Sequence, residues 1–235
     1  MFRQQLSSRR EDVRLSLSNR KMSNQRAVEV LVADESHSDV ILSITNEAFM
    51  ADAFFKKPEY HERFDEKTVL QMMSLENSMF LVAKSYFEND HNEVCGSLFF
   101  DWKKTTMLDE SVQVSVCRRI SCFIFTELFM KYIGHFSAVS VPEKYGRRGI
   151  GKALVKAAED QLLSIIARDT HNADKHITAT IEMGVINLRK DLFVWYGSQG
   201  YEMVGEIRPN DEEISRIILD DLDVCAVLMR KTLIQ

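Results

Sequence analysis

The segment Ser140-Val141-Pro142-Glu143-Lys144-Tyr145-Gly146-Arg147-Arg148-Gly149-Ile150-Gly151-Lys152-Ala153-Leu154 constrains this chain more than any other. Residues 136–141 read as a strand. From about residue 149 the apolar positions Ile150, Leu154, Ala157, Ala158, Leu162 and Ile165 recur at helical spacing. A strand must therefore turn directly into a helix through Gly146, Gly149 and Gly151. Glycine admits backbone conformations closed to other residues and lets a ligand approach the chain. The first N–H groups of the helix have no partner within it and point outward. Arg147, Arg148 and Lys152 add positive charge at the same place. The chemistry of the turn is that of a cradle for a phosphate-bearing ligand.

Composition narrows the setting. The chain has 235 residues, enough for one domain with a sizeable core. With 45% hydrophobic and 28% charged residues it reads as a globular protein. A net charge of −5 argues against bulk attraction to nucleic acid or an anionic membrane. Cys95, Cys117, Cys122 and Cys225 are scattered and form no C-x-x-C pair, so reduced thiols in a cytoplasmic protein are expected. No His, Cys or carboxylate set has metal-ligand spacing, and no metal is expected. Residues 1–26 carry Arg3, Arg9, Arg10, Arg14, Arg20, Lys21 and Arg26 among many serines and read as a disordered basic tail. A targeting segment is the alternative, opposed by Glu11 and Asp12. Residues 27–235 are expected to form a single domain. Its oligomeric state is not encoded in any motif.

The pattern of elements predicts a mixed α/β fold. Residues 27–33 alternate as a strand. Asp34 or Ser36 caps a helix that buries Val40, Ile41, Ile44 and Phe49. A helix over 66–76 turns Val69, Leu70, Met72 and Met73 inward. Strands follow at 79–85 and 93–102, joined through the polar link 88–92, and Gly96 suggests a bulge in the second. Residues 103–134 hold a helical-looking run at 124–133. After the glycine turn come a helix to 169, a strand at 177–183, a helix at 189–198, a strand at 201–207, an acidic connection at 208–221 and a last strand at 223–233. The order is β-α-α-β-β-β-α-β-α-β-β.

Spacing tests which phosphate ligand the turn suits. A P-loop needs G-x-x-x-x-G-K-[ST]; Gly146 and Gly151-Lys152 fit, but Ala153 lacks the hydroxyl that ligates magnesium. The glycines do not supply the G-x-G-x-x-G of a dinucleotide fold. The segment instead resembles the acetyl-coenzyme-A motif [Q/R]-x-x-G-x-[G/A] of the GCN5-related N-acetyltransferases. Gly149 and Gly151 match its small positions, and Gly146 stands where Gln or Arg is usual, with Arg147 one place along. Downstream, Trp195-Tyr196-Gly197-Ser198-Gln199-Gly200-Tyr201 resembles the family's F-Y-x-x-x-G-F ending. The likeness is strong over 136–204 and holds by pattern over 27–233. Residues 103–134 and Phe54-Phe55-Lys56-Lys57-Pro58 also resemble invertebrate arylalkylamine N-acetyltransferases, more weakly.

The resemblance implies a twisted, mostly antiparallel sheet flanked by helices, and direct transfer of an acetyl group from acetyl-CoA to a primary amine. It implies that the pyrophosphate meets Arg147, Arg148, Gly149, Ile150, Gly151 and Lys152. The pantetheine arm would pair with the strand at Val139, Ser140 and Val141, and Asn187 would add a cofactor contact. Tyr196 would protonate the departing thiolate. In the arylalkylamine relatives the base is a Glu in F-F-x-D-E-P; here that stretch reads Phe54-Phe55-Lys56-Lys57-Pro58-Glu59, so Glu59 is the expected base and Asp52, Glu182 and His135 are rivals. The acceptor is expected to be a small amine, with an arylalkylamine as one candidate. Protein lysine or N-terminal amines are an alternative, favoured by the acidic 208–223 segment. A CoA-binding module without catalysis is a third reading.

Overall fold

A computed structural model describes residues 28–86, 93–108, 128–170, 176–208, 216–219 and 222–235. The expected tail at 1–26, the link at 88–92, Cys117, Cys122 and most of the acidic connection lie outside the described residues. The strands are β1 (Val28–Val32), β2 (Ser78–Ser85), β3 (Val94–Leu108), β4 (Leu128–Ser140), β5 (His176–Ile186), β6 (Glu202–Ile207) and β7 (Ala226–Ile234). The helices are α1 (Ser38–Phe49), α2 (Glu66–Ser74), α3 (Ile150–Asp169) and α4 (Lys190–Gly197). Their order along the chain is the expected one. They form a seven-stranded sheet ordered β1-β2-β3-β4-β5-β7-β6. Every neighbouring pair is antiparallel except β4 with β5.

Two apolar layers sandwich the sheet. On one face α3 buries Ile150, Leu154, Val155, Ala158, Leu162 and Ile165 against Leu98, Phe100, Tyr132, Phe136 and Ile181. On the other face α1 and α2 bury Ile41 and Val69 against Phe80, Val82 and Phe99. Successive strand residues alternate between these layers, as a pleated strand requires. Asp34 accepts from the Ser36 N–H and caps the turn that leads into α1.

Two expectations are corrected. Leu70 is exposed, because Val69, Met72 and Met73 already fill the inward stripe of α2 and Leu70 points away from it. Residues from Leu128 onward are strand, not helix: β4 pairs with β3 and with β5, and two-sided pairing overrides local helical preference. The remainder of the predicted helical run, 124–127, lies outside the described residues.

The bulge predicted at Gly96 is present. Ala83 pairs with Gly96 and Lys84 with Val94, leaving Cys95 as the extra residue. The glycine has a packing cause. A Cβ at position 96 would lie 2.9 Å from Ile150 Cγ2, 3.0 Å from the Ser140 carbonyl oxygen and 3.1 Å from Leu154 Cδ1. Gly96 therefore lets the first turn of α3 sit directly on the sheet. Gly96→Ala should lower stability by about 1–3 kcal/mol through overpacking. Urea unfolding should register this as a lower midpoint at unchanged slope.

Candidate functional site

The site is a split between two parallel strands. β4 and β5 pair from Phe129 with His176 as far as His135 with Glu182. Beyond that point each strand keeps only its outer neighbour: β4 stays with β3 to Ser140, and β5 stays with β7 to Ile186. The cause is a bulge in β4. Ser97 pairs with Ser140 and Phe99 with Ser137, so Ala138 and Val139 together oppose Leu98. Ala138 has φ of +50°, a left-handed conformation that L side chains adopt at a cost. The Ser140 hydroxyl donates to the Ala138 carbonyl at 2.9 Å and holds the bulge. The flip is visible in the packing: Phe136 faces α3, whereas Ala138 lies in the layer under α1. A bulge bends its strand and increases the twist, so β4 leans away from β5. Among the described residues no strand pairs with the β5-facing side of β4 past His135. An extended ligand can hydrogen-bond there as an added strand.

The glycine turn closes the mouth of the split. Its start is fixed by Tyr145, whose ring is buried and whose hydroxyl donates to Glu93 at 2.7 Å. Arg147 takes φ of +59° and Gly149 φ of +80°. Gly149 is the residue that leads into α3, and among the described residues no side chain caps the helix there. A Cβ at Gly149 would meet nothing within 4 Å among the described residues, and there the glycine answers to φ. At Gly151 the reason is contact: a Cβ would stand 3.2 Å from the Trp195 ring. Arg147, Arg148 and Lys152 are exposed, with the Arg148 guanidinium 5.7 Å from the Tyr145 ring centre. Ile150 is buried in the core, so only its backbone faces the turn. Val139 and Val141 pack against the α3 layer, leaving their main chain for any ligand pairing.

Tyr196 stands beside the split on α4. Its ring lies 6.0 Å from Phe136 and 5.9 Å from Tyr201. The spacing to Gly200 has a local cause. Gly200, at φ of +87°, ends α4, and the Tyr201 N–H returns to the Tyr196 carbonyl at 3.2 Å. Tyr201 thereby folds back onto Tyr196, and its hydroxyl donates to the buried Glu159 of α3 at 3.0 Å. Lys231 of β7 donates to the same Glu159 oxygen at 2.8 Å. The Tyr196 hydroxyl makes no hydrogen bond among the described residues. Burial raises its pKa above the ordinary tyrosine value, opposed in part by the charge of Arg189. It is a neutral donor throughout the physiological range.

Two loops meet at the same end of the sheet. Lys56 bridges Ile218, the Lys57 N–H donates to the Ile217 carbonyl at 2.9 Å, and the Leu219 N–H donates to the Phe55 carbonyl at 2.9 Å. Phe55, Ile218 and Val224 form a small core of their own with Ile186 and Leu188 at the end of β5. Glu59 lies exposed on a short 3-10 turn of the first loop and makes no ion pair among the described residues. Asp52 is buried and accepts from Arg189 Nη1 at 2.7 Å. Glu182 accepts from Arg230 Nε at 2.6 Å, and His135 Nδ1 lies 3.2 Å from Asp101. Glu182 and His135 are the last paired residues before the split. Asn187 has structural work: its amide donates to the Asp223 carbonyl at 2.9 Å and accepts from the Cys225 N–H at 3.2 Å. The turn after β5 is thus tied to the chain that enters β7.

Sequence reading missed the bulge at Ala138, the wall made by Trp195 and the Asp52–Arg189 pair. An alanine at positive φ carries no sequence signal, and Asp52 and Arg189 are far apart in the chain. Among the described residues no group of His, Cys, Asp and Glu is placed to hold a metal ion. No helix among them is long and apolar enough to cross a membrane.

No protein-family profile matches the chain, and no curated protein sequence matches it. Solved structures do. The ribosomal-protein-S18-alanine N-acetyltransferase of Escherichia coli superposes with a TM-score of 0.52 at 13% identity, covering 89% of this chain and 96% of that one. Arabidopsis thaliana NAA60, solved with acetyl-CoA, gives 0.53 at 13% identity over 88% and 99%. A GCN5-related N-acetyltransferase from Kribbella flavida gives 0.52 at 15% identity over 88% and 98%. Together with the parallel split, the bulge and the glycine turn, these matches give the chain the fold of the GCN5-related N-acetyltransferases.

Proposed function

We propose that this protein transfers the acetyl group of acetyl-CoA to a primary amine of a small acceptor. The observation that carries the reading is the opening between β4 and β5, which has a bare strand edge on one side, an uncapped helix N-terminus at its mouth and a buried tyrosine beside it. The pyrophosphate of CoA is held by the N–H groups of Gly149, Ile150, Gly151 and Lys152 and by the charges of Arg147, Arg148 and Lys152. Pantetheine pairs with the main chain of Val139, Ser140 and Val141, which sets the thioester beside Tyr196. The amine attacks the carbonyl carbon, the C–S bond breaks, and the thiolate takes the Tyr196 proton. The backbone donor at Val141 faces the oxygen as it gains charge.

The attacking amine must first lose a proton. Asp52 is committed to Arg189, whereas Glu59 is unpaired among the described residues and open to water. Glu59 is therefore the proposed acceptor of that proton, through water. Asn187 retains one amide hydrogen beyond the bond it gives Asp223, and that hydrogen is what it can offer the cofactor.

Release of free thiol from acetyl-CoA in the presence of a panel of small amines tests the reading. Turnover with no amine, polyamine or basic peptide would contradict it. Tyr196→Phe should lower kcat by about 100-fold while leaving the melting temperature near that of the parent. Because burial raises the Tyr196 pKa, the phenol stays protonated through the accessible range. The kcat profile should then show no descending limb below pH 10, the value at which an ordinary tyrosine ionises. Arg147→Ala should raise KM for acetyl-CoA several-fold with little change in kcat, as expected when binding alone is removed.

A further inference from the structure

The connection between α1 and α2 brings together cations, one of them the buried Lys56, that the chain itself does not fully neutralise. Lys56 and Asp52 each have a side chain 9% exposed, and Nζ lies 3.7 Å from Asp52 Oδ2. At that distance the two charges attract but do not hydrogen-bond. The other Asp52 oxygen already accepts from Arg189 at 2.7 Å. Arg189 in turn holds Asp191 through two bonds, Nε to Oδ1 at 3.1 Å and Nη2 to Oδ2 at 3.0 Å. A further cation crowds the same spot. The Arg63 guanidinium lies 5.0 Å from the centre of the Phe49 ring, and Lys56 Nζ lies 5.4 Å from it. Arg63 pairs with no carboxylate among the described residues.

Three cations thus share two carboxylates, of which Asp191 has a side chain 66% exposed. Burial lowers the Lys56 pKa; the Asp52 charge opposes that shift and the neighbouring Arg63 charge adds to it. A buried ammonium with three donors, paired among the described residues only with an Asp52 oxygen 3.7 Å away, is a costly arrangement unless something supplies a closer acceptor. The loop is nevertheless held in place, by the bridge to Ile218 and by the paired N–H groups of Lys57 and Leu219. The ammonium is therefore presented in advance, which favours a ligand over a mobile surface pair. The position also suits an acceptor: Arg189 opens α4, the helix that carries Tyr196, and the exposed Phe54 ring lies edge-on to Phe55 beside Lys56.

We infer that Lys56 and Arg63 form a subsite for an anionic group of the acceptor, so that the preferred substrate is a small amine that also carries a carboxylate, as an amino acid does. The inference rests on the acetyl-transfer reading for its position and on the cation cluster for its chemistry. It departs from a plain arylalkylamine acceptor, which has no group to place there.

Matched pairs that differ only by the carboxylate test it: phenylalanine against 2-phenylethylamine, and ornithine against 1,4-diaminobutane. In at least one pair the acid-bearing partner should show a kcat/KM at least about tenfold higher, the size of one good charge-assisted contact. Lys56→Met and, separately, Arg63→Met should collapse that preference, while Lys56→Arg should keep it. Arg63 is the safer probe, since it is more exposed than Lys56. Binding gives an independent readout. With CoA saturating, the acid-bearing partner should raise the melting temperature more than its match, whether or not transfer occurs. Turnover without any carboxylate preference overturns the subsite alone. Carboxylate-dependent stabilisation without turnover sustains the subsite and overturns acetyl transfer. No carboxylate dependence in either assay, in any pair, overturns the subsite.

Discussion

The parting of β4 from β5 is the feature on which the remaining geometry depends. Parallel neighbours in a sheet normally stay paired along their shared length, because every unpaired N–H and carbonyl in a protein interior is costly. Here the extra residue at Ala138–Val139 bends β4 while β3 holds its other edge. β5 cannot follow, since β7 holds it as far as Ile186. The sheet opens between two fixed strands. Gly96 contributes from the far side by letting α3 sit close on the sheet, which brings the helix N-terminus to the opening.

The residues around the opening are held by anchors that lie outside it. Tyr196 is fixed from behind by Tyr201, which is fixed by Glu159, which is shared with Lys231 of β7. These bonds tie α3, the end of α4 and β7 together. On the other side Arg189 ties the start of α4 to Asp52. The connection that bears Asp52 is itself zipped to residues 217–219. α3, the start of α4 and the connection between α1 and α2 are therefore linked through hydrogen bonds and ion pairs, and a change in one is expected to reach the others.

Much of this was legible in the sequence. The order of elements, the helix after the glycine turn and the bulge at Gly96 follow from periodicity and glycine placement. The Tyr196…Gly200 spacing was legible as a motif, and the structure supplies its reason in the left-handed helix end. Four things were not legible. The length of β4 was hidden because the residues around Phe129 and Ile133 have mixed preference and become strand only through pairing on both edges. The bulge at Ala138 was hidden because alanine does not announce a positive φ. The charge cluster was hidden because Asp52, Lys56 and Arg63 lie in a loop without a motif, and their partner Arg189 is distant in sequence. The structural part of Asn187 was equally hidden: its amide bonds the backbone of Asp223 and Cys225, which lie far along the chain.

In the proposed reaction the opening receives the pantetheine arm and delivers its sulfur to Tyr196. A crystal structure of the protein with CoA measures this directly. The expected result is the arm lying along Val139–Val141, the pyrophosphate at Gly149–Lys152, and the sulfur within about 3.5 Å of the Tyr196 hydroxyl, close enough for proton transfer. CoA bound elsewhere, or a sulfur out of reach of Tyr196, would contradict it.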